Sequence, residues 1–388
     1  MSQDMQLFLC GRRVKWRYHR LMTRVPLRKG WCPSLHAPMQ THDGWLVRVT
    51  PDLEGLKPAQ LAFLAGKAEG EGNGRMTLTM RGNLQLRGFG EAAARRFAME
   101  AADIGLGLAD PERETRRRLL FMSPLAGLDP DCARDTLALA REVEAALAAA
   151  EAHWKPPEKF GVVVDGGGLV PSGVMRADLM LRHEEGGWVL HHGPDRHAVG
   201  RATLVPRVMN LIATASLTPG AERALHRAEP YAGRRPSLMG AFLPGCFGAL
   251  AVLGEIGAAT CHMLAETGAN VRVTPWRGIV LDRPVEAPDL MTDPQDCRKA
   301  LIACPGEGGC AQAASPTRLD ALSLAPALSE RSLHVSGCAK GCASRGQSNV
   351  TLVARETGYD LIWNGTVTDK PVETGLGVED VRRRLRQR

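Results

Sequence analysis

A pattern that occurs twice in one chain constrains the fold more than any single segment, because both copies must satisfy the same pairing. Arg81-Gly82 followed by Arg87 is matched 196 residues later by Arg277-Gly278 followed by Arg283, at the same offsets. Around the first copy, residues 45–50 alternate like a half-buried strand, 58–69 have helical spacing and 75–87 read as a long strand or hairpin. Around the second, 250–266 have helical composition and 270–283 again read as strand. The repeat predicts two small units of strands and a helix.

Strands and helices alternate through the rest of the chain. The spacing predicts a helix over 131–152, a buried strand over 159–165 ended by Gly166-Gly167-Gly168, a strand over 188–192 and a helix over 204–215. In the second half, 319–328 read as helix, 332–336 and 349–354 as strands, and the five arginines of 382–388 end a solvated helix. The expected class is α+β.

Of the 388 residues 44% are hydrophobic and 23% charged, which is globular composition. The net charge of +7 suggests an acidic partner, but residues 1–30 hold eight Lys/Arg against Asp4, and the remainder balances at 41 against 41. A globally basic nucleic-acid binder is excluded, and the tail offers only Trp16 and Tyr18 for base stacking. Residues 236–254 carry no charge, yet Pro236, Pro244 and four glycines argue against a membrane helix. No secretory h-region opens the chain, so a cytoplasmic location is expected. Cys10, Cys32, Cys132, Cys246, Cys261 and Cys297 are scattered and read as small buried hydrophobes.

The other four cysteines are grouped. Cys304-Pro-Gly-Glu-Gly-Gly-Cys310 is followed, after twenty-seven residues, by Cys338-Ala-Lys-Gly-Cys342. Outside an oxidising compartment, clustered thiols read as metal ligands. Structural zinc favours tight knuckles, whereas these gaps are five and three residues wide. The wider glycine-rich loops suit an iron–sulfur cubane and present backbone N–H groups to its sulfides, with Lys340 and Arg345 offsetting its charge. A non-catalytic module holding zinc on four cysteines stays open at this point.

This cysteine spacing resembles the sulfite and nitrite reductase family. The resemblance implies that Cys304, Cys310, Cys338 and Cys342 hold a [4Fe–4S] cluster, with Cys342 nearest a sirohaem-type tetrapyrrole site. It also implies an internally repeated architecture of ferredoxin-like half-domains plus two larger α/β domains. Thr79-Met-Arg-Gly-Asn-Leu-Gln-Leu-Arg-Gly88 is similar to the family strand lining the tetrapyrrole pocket, which points to Arg81, Gln85 and Arg87. Arg118-Leu-Leu-Phe-Met-Ser-Pro-Leu-Ala-Gly127 is similar to the segment with an anion-binding arginine, with Arg118 in that place but Leu119 for asparagine and Ser123 for cysteine. Pro157-Glu-Lys-Phe-Gly161 is similar to the motif of two substrate lysines; Lys159 matches the first, and Gly161 replaces the second. The resemblance thus makes Arg81, Arg118 and Lys159 the catalytic candidates, and these with Gln85 and Arg87 the substrate-binding ones. Arg277 and Arg283 are secondary candidates.

Six-electron reduction of sulfite or nitrite needs a dense cationic pocket, and loss of the second lysine thins it. The segments 32–40, 123–130 and 160–168 look instead like the precorrin-3B synthase branch of the family. That resemblance implies O2-dependent hydroxylation of precorrin-3A at C20 with closure of a γ-lactone, NADH being the ultimate reductant. The polyanionic tetrapyrrole would be clamped by arginines. An additional non-haem iron is compatible with this chemistry, but no 2-His-1-carboxylate set stands out; His36 and His42 read more readily as core or surface residues. Gly70-Glu-Gly-Asn-Gly74 is not a dinucleotide fingerprint, so electrons are expected through a separate donor protein. A sirohaem-dependent sulfite or nitrite reductase remains the alternative. The expected boundaries are a basic extension over 1–30, half-domains over 31–105 and 231–292, and α/β domains over 106–230 and 293–388, the last carrying the cluster.

Overall fold

The computed structural model describes residues 8–9, 12–13, 33–79, 81–150, 154, 160–175, 177–217 and 238–388. It forms two units, 1–31 and 32–388. In the first, strands β1 (Phe8–Leu9) and β2 (Arg12–Arg13) pair antiparallel. The remainder of the expected extension over 1–30 lies outside the described residues.

The larger unit is built from one plan used twice. Its first quarter runs β3 (Met39–Thr41), β4 (Gly44–Val49), α1 (Pro58–Glu71), β5 (Arg75–Leu78), β6 (Leu84–Phe89) and α2 (Glu91–Asp103). Then follow α3 (Pro111–Arg117), β7 (Leu120–Met122), α4 (Thr136–Ala149), β8 (Val162–Asp165), β9 (Leu179–Glu184), β10 (Gly187–His192), β11 (Asp195–Ala198) and α5 (Leu204–Leu217). The third quarter holds β12 (Gly240–Leu243), β13 (Cys246–Ala251), β14 (Glu255–Gly257), α6 (Ala258–Glu266), β15 (Val271–Val273), β16 (Gly278–Leu281) and β17 (Leu290–Met291). The last holds β18 (Leu301–Ala303), α7 (Thr317–Leu324), β19 (Leu333–Ser336), β20 (Ser348–Arg355), β21 (Gly358–Gly365), β22 (Glu373–Leu376) and α8 (Val378–Arg386).

The sheets show the duplication directly. The antiparallel order β3-β4-β6-β5 recurs as β12-β13-β16-β15. In the α/β quarters, β7-β8-β9 are parallel with β10 and β11 antiparallel beyond them, and β18-β19-β20 followed by β21 and β22 repeat that arrangement. The repeated Arg-Gly lies in the turn between β5 and β6 and, in the second copy, at the end of the turn into β16, where Gly82 (φ 69°) and Arg277 (φ 64°) take left-handed backbone.

The two antiparallel sheets also trade edges. β14 of the second half pairs with β5 of the first, and Leu56, just ahead of α1, bridges to Val271 of β15. A single core covers both, with Leu61 and Leu64 of α1 buried in the same cluster as Cys261 and Leu264 of α6. Separate cores lie beside β7–β9, around Leu139, Val143 and Val162, and beside β18–β21, around Leu324, Val335 and Leu352.

The helix expected over 250–266 is corrected. Only Ala258–Glu266 is helical. Cys246–Ala251 is held as a strand by pairing with β16 and β17, Leu253 breaks the chain at φ 53°, and Glu255–Gly257 is claimed by β5. Tertiary pairing overrides a helix-like composition here. Residues 236–254 supply β12 and β13, and among the described residues no helix is long and apolar enough to cross a membrane.

Candidate functional site

The cysteine loops spring from one edge of a parallel sheet. Cys304 follows β18 and Cys338 follows β19 after one glycine, and the parallel register aligns Ala303 with Val335. Both loops therefore leave at the carboxyl ends of neighbouring strands, where open α/β sheets form their ligand crevices. The Gly337 N–H donates to Cys304 Sγ at 3.2 Å, and Thr317 Oγ1, opening α7, donates to the Cys304 carbonyl at 2.7 Å. A Cβ on Gly337 would stand 2.6 Å from Ala313 Cβ and 3.3 Å from Cys304 Sγ. Gly306 (φ 74°) has no more room, since a Cβ there would meet Thr317 N at 2.8 Å.

Cys304 is buried, Cys310 and Cys338 half-buried and Cys342 exposed. Among the described residues no three His, Cys, Asp or Glu side chains are gathered closely enough to hold a metal ion. The fit of an iron–sulfur cluster rests on the donor set. Four thiols lie on two adjoining loops, one sulfur already accepts a backbone N–H, and glycines leave space around it.

Cys304 and Cys342 open onto a cavity of about 690 Å³. Five arginines line it: Arg75, Arg87, Arg277, Arg298 and Arg318. One wall is apolar, with Leu319 (69% exposed) and Leu322 of α7 facing it together with Leu253. A cationic rim beside an exposed leucine wall suits a flat ring that carries carboxylates.

Each arginine is held differently. Glu255 of β14 pairs with Arg318, lies 3.8 Å from Arg75 and accepts from Thr77 Oγ1 at 3.3 Å. Arg318 Nε is buried without a hydrogen-bond partner, and the side chain as a whole is 20% exposed. Burial and the neighbouring Arg87 and Arg75 cations pull the Arg318 pKa down to about 10. Arg298 is pinned by Asp296 at 2.6 Å and donates to the Pro288 carbonyl at 2.7 Å. Arg87 is gripped by Asp43 through Nε (3.0 Å) and Nη2 (2.9 Å) and reaches the Gly309 carbonyl at 3.3 Å. Burial works to raise the Asp43 pKa, but hydrogen bonds from Arg87 and Thr41 bring it below the usual carboxylate value.

The expected basic residues do not all meet. Gln85 and Arg87 line the main cavity; with its amide oriented by the hydrogen-bond network, Gln85 Oε1 accepts from Arg48 Nη2 at 2.7 Å. Arg81 lies in a separate narrow crevice with Arg117, its guanidinium 5.2 Å from the centre of the Phe121 ring. Arg118 caps α3 and lines neither. Arg283 is exposed beside Asp282, outside the cavity, whereas Arg277 is in it. His36 Nε2 bonds the Leu108 carbonyl at 2.7 Å, and His42 is exposed. Lys340 and Arg345 are exposed near the cysteines in sequence. Lys159 lies outside the described residues.

Sequence reasoning missed Glu255, Arg318, Asp43 and the leucine wall. Only the last had a local signal: Leu319 and Leu322 form a second stripe on a helix already burying Ala321 and Leu324. The repeat-related place holds a second cavity of about 500 Å³, where Glu54 pairs with Arg141 of α4 much as Glu255 pairs with Arg318 of α7. No cysteine lines it, and Ser123, following β7 as Cys304 follows β18, is a buried residue bonded to Asp165 at 3.4 Å.

Residues 37–100 match the family model for the nitrite/sulfite reductase ferredoxin-like half domain. A precorrin-3B synthase from Sinorhizobium sp. is 34% identical over 409 aligned positions, covering 92% of this chain and 88% of that protein. Among solved structures, the NirA protein of Mycobacterium tuberculosis aligns with a TM-score of 0.58 at 15% identity, covering 87% of this chain and 79% of that one; this likeness bears on the fold alone.

Proposed function

Because the chain belongs to the precorrin-3B synthase family, a branch of the sulfite/nitrite reductases, and is an enzyme, we propose that it monooxygenates precorrin-3A. In this reading C20 is hydroxylated, the ring A acetate closes to a γ-lactone, and O2 is the oxidant. The electrons come ultimately from NADH through a separate donor protein. The observation that carries the reading is the shared cavity, where two of the four grouped cysteines and five arginines meet beside an apolar wall.

Cys304, Cys310, Cys338 and Cys342 would hold the [4Fe–4S] cluster, which when bound supplies single electrons, the currency that O2 reduction requires. The chain's own residues do the positioning. Arg318, Arg75 and Arg298 line the rim and present the accessible N–H donors of their guanidinium groups to ring carboxylates. Leu319 and Leu322 pack a macrocycle face and keep water off it. Glu255 holds Arg318 and lies beside Arg75 before the substrate arrives, which lowers the ordering cost of binding. Gln85, fixed by Arg48, completes the wall contributed by β6.

Anaerobic purification with iron, acid-labile sulfide and zinc determination tests this reading. Iron and sulfide in near-equal amounts, with an iron–sulfur absorption spectrum, no sirohaem band, and precorrin-3A-dependent O2 uptake are expected. Zinc without sulfide, or sirohaem with sulfite reduction, would refute it.

A further inference from the structure

The two copies of the repeat place an arginine at the same offset from the Arg-Gly pair, Arg87 within β6 and Arg283 just after β16, and the two behave differently. Arg283 lies on the surface beside Asp282. Arg87 is only 18% exposed and forms two hydrogen bonds to Asp43, in the turn between β3 and β4, and a third to the Gly309 carbonyl. Gly309 immediately precedes Cys310, so one guanidinium joins the first half-domain to the cysteine loop across 222 residues of chain. The acid is itself held: Thr41 Oγ1 donates to Asp43 Oδ1 at 2.8 Å. In the second half-domain the corresponding turn between β12 and β13 carries Pro244 and Gly245 and no acid. Arg283 is held instead by the adjacent Asp282 and by the Thr267 carbonyl within its own half-domain, so only the first copy ties its arginine to the cysteine loop.

The loop needs such a brace. Residues 305–309 include three glycines, with Gly306 at φ 74° and Gly308 at φ 87°, and its own backbone bonds are local ones from Gly309 and Cys310 back to Gly306 and from Glu307 to Ser315. Glycine-rich backbone gains much conformational entropy when released. A planar fork can grip a carboxylate with two N–H groups and still reach a carbonyl; an ammonium cannot hold that geometry.

We propose that Arg87 is a positioning residue for the cluster loop rather than a clamp for substrate carboxylates: Asp43 orients its guanidinium, and the guanidinium fixes Gly309 and with it Cys310. The proposal rests on the cluster reading above. It also implies that the first half-domain is needed for cluster retention although it supplies no cysteine ligand.

The test uses the anaerobically purified holoenzyme, Arg87→Lys, which keeps the charge and loses the fork, and Asp43→Asn, which keeps the shape and loses the charge. Three quantities are read: the rate at which cluster absorbance is lost in air or to an iron chelator, the cluster midpoint potential, and the dissociation constant for precorrin-3A. Both variants should lose the cluster faster, by about tenfold for one charge-assisted hydrogen bond, with substrate affinity changed less than about twofold. If Arg87 acts by charge alone, Arg87→Lys leaves the lability as it was and Asp43→Asn only raises the potential; that result overturns the proposal. So does weakened substrate binding with unchanged lability, which would restore Arg87 to the clamp. A wild-type protein free of iron and sulfide would overturn the cluster reading itself and this inference with it. Matching melting temperatures for the variants and the wild type exclude a folding defect as the source of cluster loss.

Discussion

Glu255→Gln separates a braced cationic rim from an incidental row of arginines. Glu255 compensates Arg318, whose side chain is only 20% exposed, and is itself 12% exposed. Removing one partner of a fully buried pair costs about 3–5 kcal/mol, and the residual exposure here reduces that to about 2–3 kcal/mol. Hydrogen bonding to Thr77 survives in the amide, so the loss belongs mainly to the stranded guanidinium. For a cooperative unit of about 350 residues the unfolding entropy is about 0.7 kcal/mol/K, so the expected fall in Tm is about 3 °C. Thermal unfolding followed by circular dichroism reads it directly. Adding Arg318→Met removes the stranded charge, and the double variant should recover at least half of the loss. A Tm within about 1 °C of wild type for Glu255→Gln, or strict additivity in the double variant, would show that the pair is a solvated contact and that the rim is not preorganised.

Three further outcomes follow from the same geometry. Gly337→Ala should lower cluster content and cost about 1–3 kcal/mol, because its Cβ falls 2.6 Å from Ala313 Cβ; iron per chain and Tm report it. Leu319→Asp, at a 69% exposed site, should leave Tm within about 1 °C yet weaken precorrin-3A binding about tenfold, measured by absorbance titration. His334 is fully buried on β19, has neither ring nitrogen hydrogen-bonded, and its pKa is lowered by burial. The unfolded chain therefore binds a proton that the folded chain refuses, so stability falls as pH drops below the ordinary histidine value of about 6.5. Denaturation midpoints at pH 7.5 and 5.5 should differ less in His334→Leu than in wild type.

The parts of the fold legible in sequence were those set by local pattern. The turn residues of the two hairpins announced the repeat, and the cysteine spacing announced paired loops. The strand at Cys246–Ala251 was not legible, because alanine, glycine and leucine serve a helix equally well and only its neighbours β16 and β17 decide. Gln85 and Arg87, named through the resemblance of a strand motif, line the main cavity, but the motif cannot say that Arg81, on the turn, faces Phe121 instead. Glu255 was invisible because its partners Thr77 and Arg318 are brought to it by an edge pairing between the halves.

That edge pairing has a consequence for how the protein can be divided. With β14 completing the sheet of the first half and Leu56 bridging to the β15 edge in return, each half supplies a strand edge that the other leaves open. A fragment carrying only the first copy would expose β5 as a bare edge ready to pair with whatever it meets, and so would aggregate. Two fragments produced together should complement each other. The two copies therefore act as one folding unit, each closing an edge of the other's sheet.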